Sequence, residues 1–340
     1  MKQKLWINNN AEDRTYMLEK TEESHPGVGQ AAIEKDWWVS VTLKALFQTD
    51  CAGSLIFKGG TSLSKGWGLI ERFSEDIDLA ISHSFFGINK SNKSQRDKLR
   101  KLSRAYIQDT LSVQLDEQLK AMGITGYQIE NITTVENRNG EIVAIDSDKD
   151  PTVILLHYNS LLPRKIDYIP PRVKIEISCL SMDEPVEERD IRSLICETFP
   201  EDDTDAACRM RTVVPTRTFL EKIFLLAEEF QKEKPRSIRM SRHLYDLERL
   251  MDSDFGKSAL ADKTLYDAII EHRKAYYALR YVDYSLHSPD TINIVPPENV
   301  QDDWLQDYSN MQRYFIYGKS LDFEQLMKRI MELQRRLRNI

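Results

Sequence analysis

The sequence predicts an α+β protein in which a sheet flanked by helices occupies residues 33–185 and a mostly helical module occupies residues 186–340. Two observations predict this fold class. Before Pro185, apolar and polar residues alternate in several segments, which is typical of half-buried strands. After Pro185, apolar residues recur every three or four positions, which is typical of amphipathic helices. Residues 1–32 form a polar leader ahead of the sheet.

Length and composition are those of a globular protein. The 340 residues suffice for about two domains, and a hydrophobic content of 41% excludes disorder as the main state. No run of about 18 apolar residues could cross a membrane, and the N-terminus lacks the apolar stretch of a secretory signal. We therefore expect a cytoplasmic protein with no membrane partner. Its four cysteines include no CxxC pair and are expected to be packed thiols.

The formal net charge of −7 excludes a protein whose whole surface binds polyanions nonspecifically. Contact with nucleic acid must therefore be local. Basic clusters are present, for example Lys98–Lys101 with Arg104, and Lys234–Arg236 with Arg239 and Arg242. Taken alone, each cluster is typical of the solvated face of a helix.

The sheet begins with a helix, a strand and a second helix. Residues 33–48 carry apolar side chains at helical spacing without an internal glycine or proline. Residues 55–57 are a short apolar run typical of a buried strand, which Gly59 and Gly60 end. A helix over residues 61–69 is expected to follow, because a hydroxyl side chain can cap its first turn.

Two later segments alternate with a period of two and present acidic residues on one face. In the strand predicted from residue 76 to residue 81, Asp76 and Asp78 lie on the face opposite the apolar residues. In the strand predicted over residues 172–179, Glu176 is displayed in the same way.

The remaining elements follow from the same two patterns. Further elements of the first module are a long helix over residues 94–122, a hairpin of residues 127–136 and 141–145 around Asn137-Arg138-Asn139-Gly140, and a strand over residues 152–158. In the helical module we expect apolar helix stripes over residues 219–230, 239–251, 264–284 and 323–337, with a proline-marked loop over residues 285–303.

The segment from Gly59 to Asp78 has the pattern that metal-dependent nucleotidyl transfer needs. Glycines let backbone amides approach a phosphate, and a helix N-terminus adds positive potential there. Asp76 and Asp78 share a strand face about 7 Å apart, which is twice the rise per residue and can bracket two Mg²⁺ ions. Glu176 is the best candidate for a third carboxylate. Each piece alone is common in proteins, but their combination favours a metal site, because like charges repel unless a cation offsets them.

Five blocks of sequence resemble the AbiEii/AbiGii-type nucleotidyltransferase toxins of the DNA polymerase β-like nucleotidyltransferase superfamily. The blocks are Ile33–Val39, Lys58–Leu63, Arg72–Leu79, Arg217–Lys222 and Arg242–Leu247. The last two match the lysine and aspartate motifs of that family. The resemblance implies a polymerase β-like sheet flanked by helices, with a helical domain over residues 186–340 that completes the cleft for nucleotide and acceptor.

The same resemblance implies roles for particular residues. The nucleotide would be held at Gly59, Gly60, Thr61, Ser62 and Lys65. Metal ions, two Mg²⁺, would be held by Asp76, Asp78 and Glu176. Lys222 would reach the triphosphate, and Asp246 would lie on the same pocket wall.

Two features depart from the pattern of the superfamily, although neither removes a ligand. Gly60 stands where many members have serine, and the stretch to Asp76 is slightly longer. Without the resemblance, Lys222 would be interpreted as a solvated residue beside an apolar stripe. Asp246 would be interpreted as a helix-surface partner of Arg242 or Arg249. Lys65, Arg72 and Arg239 are further candidates for phosphate or RNA contacts.

The resemblance implies a Mg²⁺-dependent, pyrophosphate-releasing nucleotidyltransferase that acts as the toxin of a bacterial toxin–antitoxin or phage-defence system. It would transfer NMP from an NTP to RNA, at the 3′ end of tRNA, and so block translation. A cognate antitoxin is a further implied partner. Two alternatives stay open: the same chemistry directed at a protein hydroxyl or a small molecule, and an NTP-sensing module without catalysis.

Overall fold

A computed structural model describes the chain over residues 4–88, 92–137, 139–162, 169–183 and 185–340. It divides into two compact units. The first, here called the sheet unit, comprises Met1–Gly66 and Phe73–Thr212; the second, the helical unit, comprises Trp67–Arg72 and Val213–Ile340. None of the helices in the described ranges has the length and apolar character needed to cross a membrane.

The sheet unit is built on a seven-stranded mixed sheet with the strand order β3-β6-β7-β2-β1-β9-β8, and a separate two-stranded hairpin pairs β4 with β5. The strands are β1 Leu55–Lys58, β2 Asp76–Ile81, β3 Tyr127–Asn131, β4 Thr134–Glu136, β5 Ile142–Ala144, β6 Thr152–Tyr158, β7 Arg172–Ser178, β8 Val186–Ile191 and β9 Cys208–Val213. Strand β2 runs antiparallel to β1 on one side and parallel to β7 on the other.

The helices of the sheet unit are α1 Ala11–Ser24, α2 Gln30–Leu46, the single turn α3 Gly59–Thr61, α4 Lys93–Tyr106, α5 Ser112–Ala121 and α6 Leu194–Thr198. Helix α2 is buried at 14 of its 17 positions, so it packs on almost every side. Trp37 and Trp38 of this helix are at most 1% exposed, so both pack in the core. A π-helical turn over Ile107–Leu111 joins α4 to α5, as the single long helix stripe predicts.

The helical unit contains α7 Pro215–Glu229, α8 Ser241–Leu250, α9 Asp254–Ala261, α10 Lys263–His272, α11 Gln301–Tyr314 and α12 Phe323–Leu337. Pro215 stands in the first turn of α7, where its missing N–H costs nothing. The predicted fold class is confirmed: a sheet flanked by helices precedes a helical C-terminal part. Helix α11 begins inside the segment predicted as a proline-marked loop.

The polar leader contains helices within its described part, residues 4–32. Within it, α1 buries Leu18, and Trp6 is fully buried ahead of α1. The backbone N–H of Trp6 donates a hydrogen bond of 2.8 Å to Oδ1 of Asp203. A few large apolar side chains in a polar sequence are therefore enough to fold the leader into the sheet unit.

The range 186–340, which is expected to be mostly helical, begins with two strands. Strands β8 and β9 extend the sheet beyond β1, and the sheet unit ends at Thr212. Strand β8 lies at the sheet edge, and most of its residues are charged and at least partly exposed. It therefore lacks the alternation that marks half-buried strands.

Two local boundaries also differ from the prediction. The helical segment after β1 begins at Gly59 and ends at Gly66, earlier than the expected helix over residues 61–69. The predicted strand over residues 127–136 is divided into β3 and β4 by two residues outside any strand. The hairpin of β4 and β5 is present, although Arg138 of its turn lies outside the described residues.

Candidate active site

The turn that follows β1 brings the backbone against an aspartate of β2. Gly59 has a φ of +80°, in the left-handed region that favours glycine. A Cβ atom at this position would lie 2.0 Å from Oδ2 of Asp78. Gly59 is therefore required both by its backbone conformation and by its contact with Asp78. The sequence pattern singles out the pair Gly59 and Gly60 but does not show which of them approaches the carboxylate.

The hydroxyl side chains after the glycines hold the turn together. Thr61 is fully buried, its hydroxyl donates a hydrogen bond to the backbone oxygen of Asp76 at 2.5 Å, and its Oγ1 lies 2.9 Å from the hydroxyl oxygen of Ser74. The hydroxyl of Ser62 donates to the backbone oxygen of Gly59 at 2.9 Å. These contacts fasten the turn to the start of β2, whereas the phosphate contacts expected of Thr61 and Ser62 stay predictions.

The three acidic positions lie on one face of two neighbouring strands. Asp78 is the register partner of Glu176 across the parallel pair β2 and β7, and Asp76 is the partner of Lys174. Directly paired residues present their side chains on the same face of a sheet. On the other side of β2, Asp78 pairs with Lys58 of β1. The row through Asp78 therefore has a lysine on one side of this aspartate and a second acidic residue on the other.

These positions suit a divalent cation, but the side chains as described do not gather around one. Neighbouring strands lie about 4.8 Å apart, and carboxylate oxygens are the ligands that Mg²⁺ prefers. Glu176, however, forms an ion pair of 2.8 Å with Nζ of Lys174. Within the described part of the chain, no group of three or more His, Cys, Asp or Glu side chains is arranged to hold a metal ion. Glu176 would have to leave Lys174 to join Asp76 and Asp78, so the metal assignment stays a prediction.

Two buried lysine–carboxylate ion pairs join helix α2 to the segment between this turn and β2. Nζ of Lys35 in α2 lies 2.6 Å from Oε2 of Glu75, the residue before Asp76, and both side chains are at most 6% exposed. Nζ of Lys65 lies 2.5 Å from Oδ1 of Asp36. Burial lowers the pKa of Lys35, although Glu75 opposes this change. A phosphate contact by Lys65, which the sequence predicts, would require its ion pair with Asp36 to open.

In the helical unit, the other predicted acidic residue is the centre of a buried charge cluster. Asp246 of α8 is fully buried and accepts hydrogen bonds from Nε and Nη2 of Arg72 at 2.7 and 2.8 Å. Nζ of Lys222 in α7 lies 2.9 Å from its Oδ2. Burial acts to raise the pKa of Asp246, but the two cations outweigh it and hold the pKa well below its ordinary value. The interpretation of Asp246 as a surface partner of Arg242 or Arg249 is therefore wrong.

Lys222 and His243 complete this cluster. The side chain of Lys222 is only 8% exposed, so its interpretation as a solvated residue is also wrong. Burial lowers the pKa of Lys222, and Asp246 acts to raise it. Nδ1 of His243 lies 3.5 Å from Nζ of Lys222. Burial, together with Lys222 and Arg242, keeps the pKa of His243 well below its ordinary value, so this imidazole is neutral at pH 7.

Sequence reasoning missed the places of Arg72 and His243 in this cluster. The signal for His243 is its spacing of three from Asp246, which puts both side chains on one face of α8. Arg72 gives no comparable signal, because 174 positions separate it from Asp246. Arg72 makes a bidentate contact with this buried carboxylate, and its expected role as a phosphate or RNA contact stays a prediction. The expected role of Lys222 at the triphosphate stays a prediction.

Comparisons with known proteins identify the family and the fold of the chain. A family model described as the nucleotidyl transferase AbiEii toxin of a type IV toxin–antitoxin system matches residues 42–329. The fold is similar to the structure of MenT4, a nucleotidyltransferase toxin from Mycobacterium tuberculosis H37Rv, with a TM-score of 0.51. That similarity covers 96% of this chain and 89% of the MenT4 chain at 15% sequence identity, so it shows the fold alone. No curated protein sequence matches the chain.

The first prediction concerns the turn. Gly59→Ala should destabilise the protein by about 2 kcal/mol, because alanine is strained at positive φ and its Cβ would overlap the Asp78 carboxylate. Urea denaturation measures the loss. Gly53→Ala is the matched control, because its new Cβ would meet nothing within 4 Å. Equal stability of the two variants would contradict the described contact.

The second prediction concerns the buried cluster. Asp246→Asn should cost about 3 kcal/mol, because it leaves the Arg72 and Lys222 charges buried without a counter-ion. The wild-type pKa of Asp246 is lowered by folding, so its stabilisation is present above the ordinary carboxyl pKa and is lost on acidification. The variant should therefore lose less stability than the wild type as the pH falls below about 4.

Denaturation of both proteins over a range of pH tests this second prediction. The matched control is Asp267→Asn, which removes an exposed ion pair with Lys263 in the same unit and should change stability little. A variant at position 246 that is as stable as this control, with an unchanged pH profile, would show that the cluster contributes nothing.

Proposed function

The chain belongs to the AbiEii family of nucleotidyltransferase toxins of type IV toxin–antitoxin systems, and from this membership we propose that it transfers NMP from an NTP to the 3′ end of tRNA. The class of reaction, nucleotidyl transfer, follows from membership of this family. The observation that carries the proposal is the placement of Asp76, Asp78 and Glu176 on one sheet face beside the glycine turn.

In the proposed reaction, the terminal ribose hydroxyl of the acceptor attacks the α-phosphorus of the NTP. A new P–O bond forms as the bond to pyrophosphate breaks, and the hydroxyl proton passes to solvent. The glycine turn brings backbone close to the carboxylates, where a phosphate can approach without meeting a side chain. When bound, Mg²⁺ lowers the pKa of the attacking hydroxyl and offsets charge on the leaving pyrophosphate.

Asp76 and Asp78 are the proposed ligands of Mg²⁺, with Glu176 as the third carboxylate. Gly59 keeps the Asp78 carboxylate next to the turn, and Thr61 holds the backbone at Asp76. Lys174 has a role in this proposal as well. Its ion pair with Glu176 offsets one negative charge, which reduces repulsion among three carboxylates before the cation binds.

Lys222 is the proposed contact of the triphosphate, and Asp246 is its positioning residue. Asp246 is fully buried, so it acts through Lys222 and Arg72 rather than by touching the nucleotide. The neutral imidazole of His243 adds no second positive charge beside Lys222. The ammonium group of Lys222 is therefore held in one place, and a fixed charge in a buried setting stabilises a phosphate more than a solvated one does.

The choice of acceptor rests on the family resemblance and on general chemistry. A tRNA whose 3′ end carries an added nucleotide cannot be charged with an amino acid, which blocks translation and explains toxicity. The type IV description of the family supports an antitoxin as a further partner. A protein hydroxyl and a small molecule are alternative acceptors, and binding of NTP without transfer is the remaining alternative.

The third prediction tests catalysis and acceptor together. Incubation of the purified protein with total tRNA, total cell protein and each α-³²P-labelled NTP plus Mg²⁺ should label the tRNA fraction. Trimming with a 3′ exonuclease should then release the label. Asp78→Asn should reduce transfer at least about 100-fold, because a neutral amide is a poor ligand for Mg²⁺.

Glu187→Gln is the control for this experiment, since Glu187 is an exposed acid of the edge strand β8. It should transfer label as the wild type does. Label in protein would overturn the RNA acceptor but keep nucleotidyl transfer. Binding of NTP without release of pyrophosphate would support the sensing alternative, and full transfer by Asp78→Asn would overturn the metal assignment.

A further inference from the structure

Helix α4 concentrates positive charge in a chain that is acidic as a whole. Between Lys93 and Arg104 there are six Lys or Arg residues and one Asp, so the local balance is 6 − 1 = +5 against −7 for the whole chain. Such a local excess strengthens attraction to polyanions at this face.

Three of these charges have no counter-ion among the described residues. Lys93, Lys98 and Lys101 are exposed, and none of them forms an ion pair with any described residue. Asp97, the acidic residue of this segment, is paired with Nη1 of Arg100 at 3.1 Å. Arg104 is buried and donates to a backbone oxygen. The three exposed ammonium groups therefore remain available to a ligand.

The same face borders an open groove of about 700 Å³. The described residues that line it are Lys93, Ser94, Asp97, Lys98, Lys101 and Leu102. From Lys93 to Lys101 the helix rises about 12 Å, at 1.5 Å per residue. That length matches a run of several phosphates along one strand of a nucleic acid. Unlike the core of a protein–protein interface, from which lysine is depleted, this lining has three lysines and a single leucine.

We propose that this face of α4, defined by Lys93, Lys98 and Lys101, binds the phosphate backbone of the acceptor RNA. The inference rests on the proposed function, because it identifies where the RNA substrate is held. Lysines make contacts with phosphates that position a nucleic acid without reading its sequence. The face therefore contributes affinity for the body of the acceptor, while the chemistry takes place at the carboxylates.

The fourth prediction uses the triple variant Lys93→Gln/Lys98→Gln/Lys101→Gln. Fluorescence anisotropy with labelled tRNA at several salt concentrations should show at least a tenfold loss of affinity at about 50 mM salt. The slope of log affinity against log salt should become shallower by about 2 to 3, since each lost phosphate contact removes about 0.9. In the transfer assay the KM for tRNA should rise, while the KM for NTP should not change.

The matched control is Lys257→Gln/Lys274→Gln/Lys319→Gln, which removes the same charge from exposed lysines of the helical unit that form no ion pair with any described residue. It should bind tRNA as the wild type does. Circular dichroism checks that both variants fold, and the double variant Lys98→Gln/Lys101→Gln should show a smaller loss if three changes prove too many.

The outcomes separate this inference from the proposed function. A wild type that binds tRNA with a salt slope equal to that of the α4 variant would overturn the inference, whether or not label is transferred. A wild type that binds tRNA through α4 but labels only protein would retain the binding face and overturn the proposed acceptor. Unchanged tRNA affinity of the triple α4 variant would also overturn the inference.

Discussion

The contact between the Gly59 backbone and the Asp78 side chain is the constraint on which the candidate site depends. Only a hydrogen atom fits on Cα of Gly59 beside Asp78. The backbone at Gly59 also has a φ in the left-handed region, directly after the end of β1. The antiparallel register of β1 with β2 then sets Asp78 beside that turn, and the parallel register of β2 with β7 sets Glu176 beside Asp78. The contacts of Thr61 with Asp76, and of Lys35 with Glu75, hold the start of β2 in place.

The helical unit contains a cluster of buried charged side chains around Asp246. A lysine that is nearly buried would lose its proton readily, because burial disfavours the charged form. Asp246 opposes this loss at Lys222, and Arg72 in turn balances the charge of Asp246. A neutral histidine beside them adds no repulsion. The cluster therefore holds the Lys222 side chain against a buried counter-ion, as its proposed contact with a triphosphate would require.

Sequence patterns predict the parts of this molecule in which a local rule operates. Strands β2 and β7 follow from alternation, and the acidic face follows from the same period. The edge strand β8 is not predicted from the sequence, because an exposed charged strand has no buried face and therefore no alternation of apolar residues. The ion pair of Arg72 with Asp246 is not predicted either, because no spacing rule connects residues 174 positions apart. Likewise, the choice between Gly59 and Gly60 depends on a contact across two strands, which only coordinates show.

The central claim is that Asp76, Asp78 and Glu176 hold a divalent cation at the glycine turn. Its most direct test is a crystal structure with Mn²⁺ and a non-hydrolysable NTP, using the anomalous signal of manganese. We expect a peak at about 2.2 Å from carboxylate oxygens of Asp76 and Asp78, with Glu176 released from Lys174. A bound nucleotide whose metal lies away from both aspartates would contradict the claim.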